Sequence, residues 1–322
     1  MTAFSYDAYV AAAHFDGASQ AWFALGDGTV RGPGLPDRRT HAGAVLCAAL
    51  HPSGSGLLTG GDDGAVCWTR PGETTTLFER PGRWIDALDA SAANGLVAFA
   101  CGREAHVRDV ADARFERLFR HERSVAALAF DPKGRRLAAA SYGGVLLWYA
   151  RIAEQKPQAL KWAGSHIGLA WSPDARFVVS SMQENALHGW RLADGKDMRM
   201  GGYPAKVRSL AFLSKGRLMA SSGAPAAVVW PFAGADGPMG KEAAEIGFQE
   251  GSEVCRVAAE AGGSRLAGGR TDGSVWVADL AAQGVREIVP PAGSPVSALA
   301  MSPDGTQLAF GDEAGGAGVI VL

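Results

Sequence analysis

The 322-residue sequence holds 7 histidines, 4 cysteines and 33 acidic residues, yet none of them falls at the spacing of a catalytic motif. An acyl-transfer serine would sit in G-x-S-x-G, and a zinc hydrolase would carry H-E-x-x-H along one helical face. Neither is present. Cys47, Cys67, Cys101 and Cys255 are widely separated and form no C-x-x-C pair, so they read as small apolar fillers and not as a zinc knuckle or disulfide framework. The run "GADGPMGKE", Gly234 to Glu242, approaches a phosphate loop, but its spacing is one residue too long and Glu242 stands where Ser or Thr must reach magnesium. It reads as an exposed loop. The chemistry points to no enzyme, no cofactor and no dedicated metal site.

What remains are residues that stand out only against a repeat. With 43 glycines and many short Val, Leu and Ala runs, the chain is built for turns and strands, so all-β is the expected class. "SVAALAFDPKGRRLAAAS", "VRSLAFLSKGRLMASSG" and "VSALAMSPDGTQLAFG" share one plan: an apolar run, a turn on Pro or Gly, and a second apolar run. Weaker copies bring the units to eight, anchored on Val10, Val45, Ile85, Val125, His166, Val207, Val254 and Val296. A period of about 40 residues with four strands per unit marks a propeller, because one twisted sheet cannot cover both its faces and must stack on its neighbours. The expected architecture is a single domain over residues 1–322: a closed β-propeller of four-stranded antiparallel blades, eight blades favoured over seven. After Val296 only three strands fit before Leu322, so Thr2 to Asp7 is expected to supply the missing outer strand and close the ring.

Within that register His166 occupies a position that is Val or Ile in the seven other units, and Arg256 aligns with Ala12, Cys47, Ala87, Ala127, Gly168, Ser209 and Ala298. A guanidinium among small residues must reach water, a carboxylate or a ligand. His166 reads either as a hydrogen-bonded histidine in a core position or as a ligand contact. "SMQENALHGW" places Gln183-Glu184-Asn185 where "GDDGAVCW", "ALGDGTVRG" and "RTDGSVWVADL" use Asp-Gly. Asn185 tolerates the left-handed conformation, so the triplet reads either as a plain exposed turn or as three recognition side chains.

Several residues carry a family resemblance. His41 and His121 stand four residues before Val45 and Val125, Ser-Pro-Asp turns recur at Ser172 and Ser302, and Trp148, Trp190 and Trp230 occupy one position in consecutive units. In these features the whole chain resembles the WD-repeat β-propeller family, in a degenerate, bacterial form. No tryptophan is followed by Asp, and Tyr142 is read as filling the turn position that would complete the hydrogen-bond network of His121. The resemblance implies a rim built from the loops leading into the innermost strands and the turns between second and third strands. That rim would carry Arg83, Trp84, Arg103, Arg123, Tyr142, His166, Met182, Gln183, Glu184, Asn185, Lys206, Arg208 and Arg270, with Arg256 at the channel mouth. It also implies a non-catalytic scaffold for a protein or peptide partner, which the basic rim would select for acidic character.

Two alternatives stay open: a small-ligand binder or enzyme using His166, Arg208 and Arg256, and a metal-handling accessory protein using His166, His188 and Met182. A formal net charge of −2 without a Lys/Arg block argues against nucleic acid as the partner. With no basic, apolar leader and no run of 18 apolar residues, the expectation is a monomeric cytoplasmic protein that does not engage membranes.

Overall fold

A computed structural model describes residues 1–260, 262–282 and 284–322. Thirty strands and one short 3₁₀ turn, Ser214–Gly216, account for the regular structure among the described residues. The strands form seven antiparallel sheets among those residues, six of four strands and one of six. The architecture is an all-β propeller with four-stranded blades.

The sheet Ala87–Ser91, Leu96–Cys101, Glu104–Asp109, Glu116–Arg120 shows how the repeat becomes a blade. All six residues of Leu96–Cys101 are buried, because side chains on both faces of a second strand meet neighbouring sheets. The outer strand Glu116–Arg120 alternates between solvent and Phe119, whose ring stacks on Trp148 at 4.6 Å between centroids. Each buried Leu or Phe of this kind contributes roughly 1.5–3 kcal/mol by leaving water.

The chain divides into two compact units, Asp16–Trp171 and Met1–Phe15 with Ser172–Leu322. Within the first, Ala87, Leu96, Val107, Leu137 and Trp148 belong to one continuous apolar cluster. Within the second, Phe177, Leu187, Met219 and Phe232 form one cluster, and Val254, Leu266 and Trp276 belong to another. Trp276 lies against Gly268 so closely that a Cβ there would press into the indole.

The expected outer strand at the N-terminus is present. Thr2–Ser5 pairs antiparallel with Gly316–Val321, Thr2 opposite Val319 and Ser5 opposite Gly316. The blade count differs from expectation: seven sheets, not eight. The cause lies in two 14-residue strands, Arg136–Tyr149 and Gln158–Trp171. They run through the predicted turn at Tyr142 and through the predicted boundary before His166, pairing Tyr142 with Ser165 and Gly144 with Lys161 across a bulge. "KWAGSH" offers neither Pro nor Asp-Gly to interrupt that pairing, so the units anchored on Val125 and His166 do not form sheets of their own.

Candidate partner-binding surface

In the unit Asp16–Trp171, two loops are built alike. Gly64 adopts φ +85°, a conformation that L side chains rarely adopt, and a Cβ there would meet the carbonyl oxygens of Arg80 and Arg83. That contact is fixed by Arg80 N–H donating to Gly64 O (3.0 Å) and Ile85 N–H donating to Gly61 O (3.0 Å). Ile85 is fully buried, which turns Arg83 and Trp84 outward, and Trp84 is 64% exposed. One blade on, the two-residue turn Gly102-Arg103 joins Cys101 to its partner Glu104. There Val125 N–H donates to Gly102 O and His121 N–H to Arg103 O, both at 2.9 Å. Val125 is buried, and Arg103, Arg123 and Ser124 are left exposed. Tyr142, 63% exposed, stands at the bulge within the long strand Arg136–Tyr149.

These loops frame three cavities. One of about 370 Å³ is lined by Arg83, Trp84, Asp86 and Ser124, and one of about 510 Å³ by Arg80, Arg83, Arg103, Glu104 and Ser124. A third of about 620 Å³ lies against Arg120, Arg123, Tyr142, Trp148 and Lys161. Arg83, Gly102 and Ser124 line both of the first two, and Arg123 beside Ser124 lines the third. The single carboxylate of the middle cavity is already held: Glu104 accepts from Arg80 at 2.6 Å and from Arg120 at 3.4 Å. The Arg80 hydrogen bond keeps Glu104 below the usual carboxylate range. Arg83, Arg103 and Arg123 make no ion pair or side-chain hydrogen bond among the described residues. Sequence reasoning missed Arg80 and Arg120, whose only signal was the local density of basic residues around "ERPGRW" and "LFRHER", and Lys161, which carried no such signal.

Two buried histidines of this unit differ. His41 Nδ1–H donates to Asp63 Oδ1 (3.0 Å), so its Nε2 accepts from the Thr59 hydroxyl (2.8 Å). Burial alone would raise the Asp63 pKa, but the bonds from His41 and the Ala65 and Ala42 amides outweigh it and leave it lowered. His121 is buried with neither ring nitrogen hydrogen-bonded, edge-on to Trp148 at 5.7 Å. Counting as from His41, Ala139 replaces Thr59 and Gly143 replaces Asp63. This corrects the expectation that Tyr142 holds the carboxylate's place. With no partner for a proton, burial lowers the His121 pKa to about 4.

The remaining predicted residues are dispersed. His166 is buried, its Nε2 3.1 Å from Trp162 O. In the other unit Met182 and Arg270 are buried and not displayed on a rim, correcting that expectation. Their positions explain this. Met182 ends the wholly buried strand Phe177–Met182, and Arg270 turns inward to donate to Gly247 O (2.9 Å) and Ser274 Oγ (3.3 Å). Gln183 and Glu184 are exposed, whereas Asn185 adopts φ +51° and donates to Pro204 O at 3.2 Å, a turn-forming role. His188 is buried 3.1 Å from Asp197. No group of three or more His, Cys, Asp or Glu is arranged to hold a metal among the described residues. In the loop Gly234 to Glu242, Lys241 Nζ donates to Ala233 O at 2.7 Å, so the lysine serves its own backbone.

Lys206 and Arg208 share a cavity of about 260 Å³ with Glu253 and Glu313, and no ion pair joins the four. Arg256, half-buried nearby, donates from Nε to Ser297 O (2.7 Å) and from Nη1 to Cys255 O (2.9 Å). Burial lowers its pKa, and the Arg208 charge adds to the effect.

Residues 36–68 and 114–149 match the WD domain, G-beta repeat. No curated protein matches the chain. Among solved structures it is similar to the computationally designed Ika8 protein, with a TM-score of 0.80 at 20% identity over 100% of this chain and 98% of that one. It is also similar to a chain of the Mitotic Checkpoint Complex, with a TM-score of 0.67 at 16% identity over 100% of this chain and 90% of that one. At these identities the likeness concerns the fold alone.

Proposed function

Taking as premise a propeller that carries WD repeats, we propose that this chain is a non-catalytic scaffold, acting as a cytoplasmic monomer, that holds an acidic protein or peptide partner. The partner lies across Arg83, Trp84, Arg103, Arg123 and Tyr142. One observation carries the reading: two largely exposed aromatic rings flank three arginines without ion partners on adjoining cavities. Binding energy concentrates in aromatic and arginine anchors of this kind, and leaving them unpaired in the free protein keeps them available. Four free cysteines fit a reducing compartment.

The test is affinity capture from the source cell with the native chain, Trp84→Ala and Arg83→Glu, at low and high salt. Both variants should lose the partner while retaining native unfolding midpoints, and capture by the native chain should weaken as salt screens the arginines. Capture insensitive to both substitutions and to salt would refute the assignment.

A second reading, a small dipolar ligand, is favoured by the Lys206, Arg208, Glu253 and Glu313 cavity, where two charges of each sign stand without pairing. Calorimetric titration with free amino acids tests it, and binding lost in Arg208→Met supports it.

A further inference from the structure

The middle cavity of the proposed surface carries more specific information than a preference for acids. Three guanidiniums, Arg80, Arg83 and Arg103, face it against one carboxylate, Glu104. That carboxylate is shared by Arg80 and by Arg120, which stands outside the lining. Glu104 is therefore committed, and Arg83 and Arg103 face the cavity with their forks free. The two arginines are held on backbone that has little freedom. Arg83 lies between Arg80 and Ile85, both bonded to the Gly61–Gly64 turn, and Arg103 is half of a two-residue turn bonded to His121. The Ser124 hydroxyl and the backbone at Gly102 complete the wall.

Resting on the partner-binding reading above, we infer that this cavity seats a phosphoryl group borne on a phosphorylated segment of the protein partner, with the adjoining side chain packed on Trp84. A carboxylate brings one negative charge and two oxygens, so two guanidiniums on it must divide those oxygens between them, as Arg80 and Arg120 do on Glu104, and neither keeps a full bidentate pair. One charge also leaves two free forks only half neutralised. A phosphoryl group brings a charge of about −1.5 to −2 and three acceptor oxygens, enough for both forks at once. Arginine, with its planar fork, suits this geometry, and a lysine in its place would not. The neighbouring cavity shares Arg83, Gly102 and Ser124 with this one and is bounded by Trp84, so a residue beside the phosphorylated position reaches the indole without a break in the surface.

The experiment uses the full chain and three matched degenerate peptide libraries, centred on phosphoserine or phosphothreonine, on the unmodified residues, and on glutamate. Inorganic phosphate serves as a competitor. The phosphorylated library should be retained at least about ten-fold over the other two, as expected when both forks are satisfied at once. Arg83→Lys and Arg103→Lys, which keep the charge and remove the fork, should each abolish most of that preference with unchanged unfolding midpoints. Arg286→Lys, exposed on the strand Gly284–Val289 of the other unit, should leave it intact. Equal retention of the glutamate and phosphorylated libraries would overturn the inference while leaving the acidic-partner reading standing. Binding of inorganic phosphate without any peptide preference would overturn the assignment to a partner-borne group. Retention of no library would overturn it as well, and partner capture sensitive to Trp84→Ala would then show the broader reading surviving alone.

Discussion

His121 makes the stability of this chain depend on pH in a calculable way. The ring is buried against Trp148 with no hydrogen-bond partner, and burial moves its pKa from the ordinary 6.5 to about 4. The folded state thus prefers the neutral ring, while the unfolded chain takes up a proton at its ordinary pKa. Stability is fully present above pH 6.5 and is lost as the pH falls through the window toward 4. Between pH 7 and pH 5 the loss from this residue amounts to about 2 kcal/mol. His121→Phe retains a ring against Trp148 and removes the titration. Because every other group titrates alike in both proteins, the difference between their denaturant-derived stabilities isolates His121. The native chain should lose about 2 kcal/mol more than the variant on going from pH 7 to pH 5. Equal losses would refute the assignment of a buried, unpartnered ring.

Other consequences are equally direct. Gly64→Ala forces a Cβ into the Arg80 and Arg83 carbonyls at φ +85°, and should cost about 2 kcal/mol or more in denaturation while also weakening partner capture through the displaced Arg83 and Trp84. Removing residues 1–8 strips Thr2–Ser5 from Gly316–Val321, exposing a sheet edge. Light scattering should show association and calorimetry a lower Tm, and a truncated chain as stable and monomeric as the native one would contradict the pairing. Replacing Gln183-Glu184-Asn185 by Thr-Asp-Gly should leave the unfolding midpoint unchanged or slightly raised, since Gly adopts the positive φ of Asn185 freely, at the cost of the bond to Pro204.

The repeat was legible because it is written in a period: apolar runs separated by Pro, Gly or Asp-Gly fix where strands start and stop, and even the exchange of an N-terminal strand into the last sheet follows from counting strands after Val296. The division into sheets was not, because "KWAGSH" carries neither Pro nor Asp-Gly, and pairing runs on through Arg136–Tyr149 and Gln158–Trp171 although Gly143 and Gly144 adopt positive φ. As to exposure alone, loop position placed Arg83, Trp84, Arg103, Arg123 and Tyr142 correctly, all five being exposed. It failed for Met182, His166 and Arg270, because whether a loop-adjacent side chain points outward or inward depends on three-dimensional packing that linear spacing does not encode. Arg80 and Arg120 escaped notice for the opposite reason. They belong to the outer-strand region, and only folding brings them to Glu104.

Hydrogen–deuterium exchange of the full chain, with and without the captured partner, reads whether that partner lies across the Arg83, Trp84, Arg103, Arg123 and Tyr142 surface. New protection is expected at residues 80–85, 102–104 and 121–125 and around Tyr142. Protection confined to the segments around Lys206, Glu253 and Glu313, with these loops exchanging as in the free protein, would contradict it.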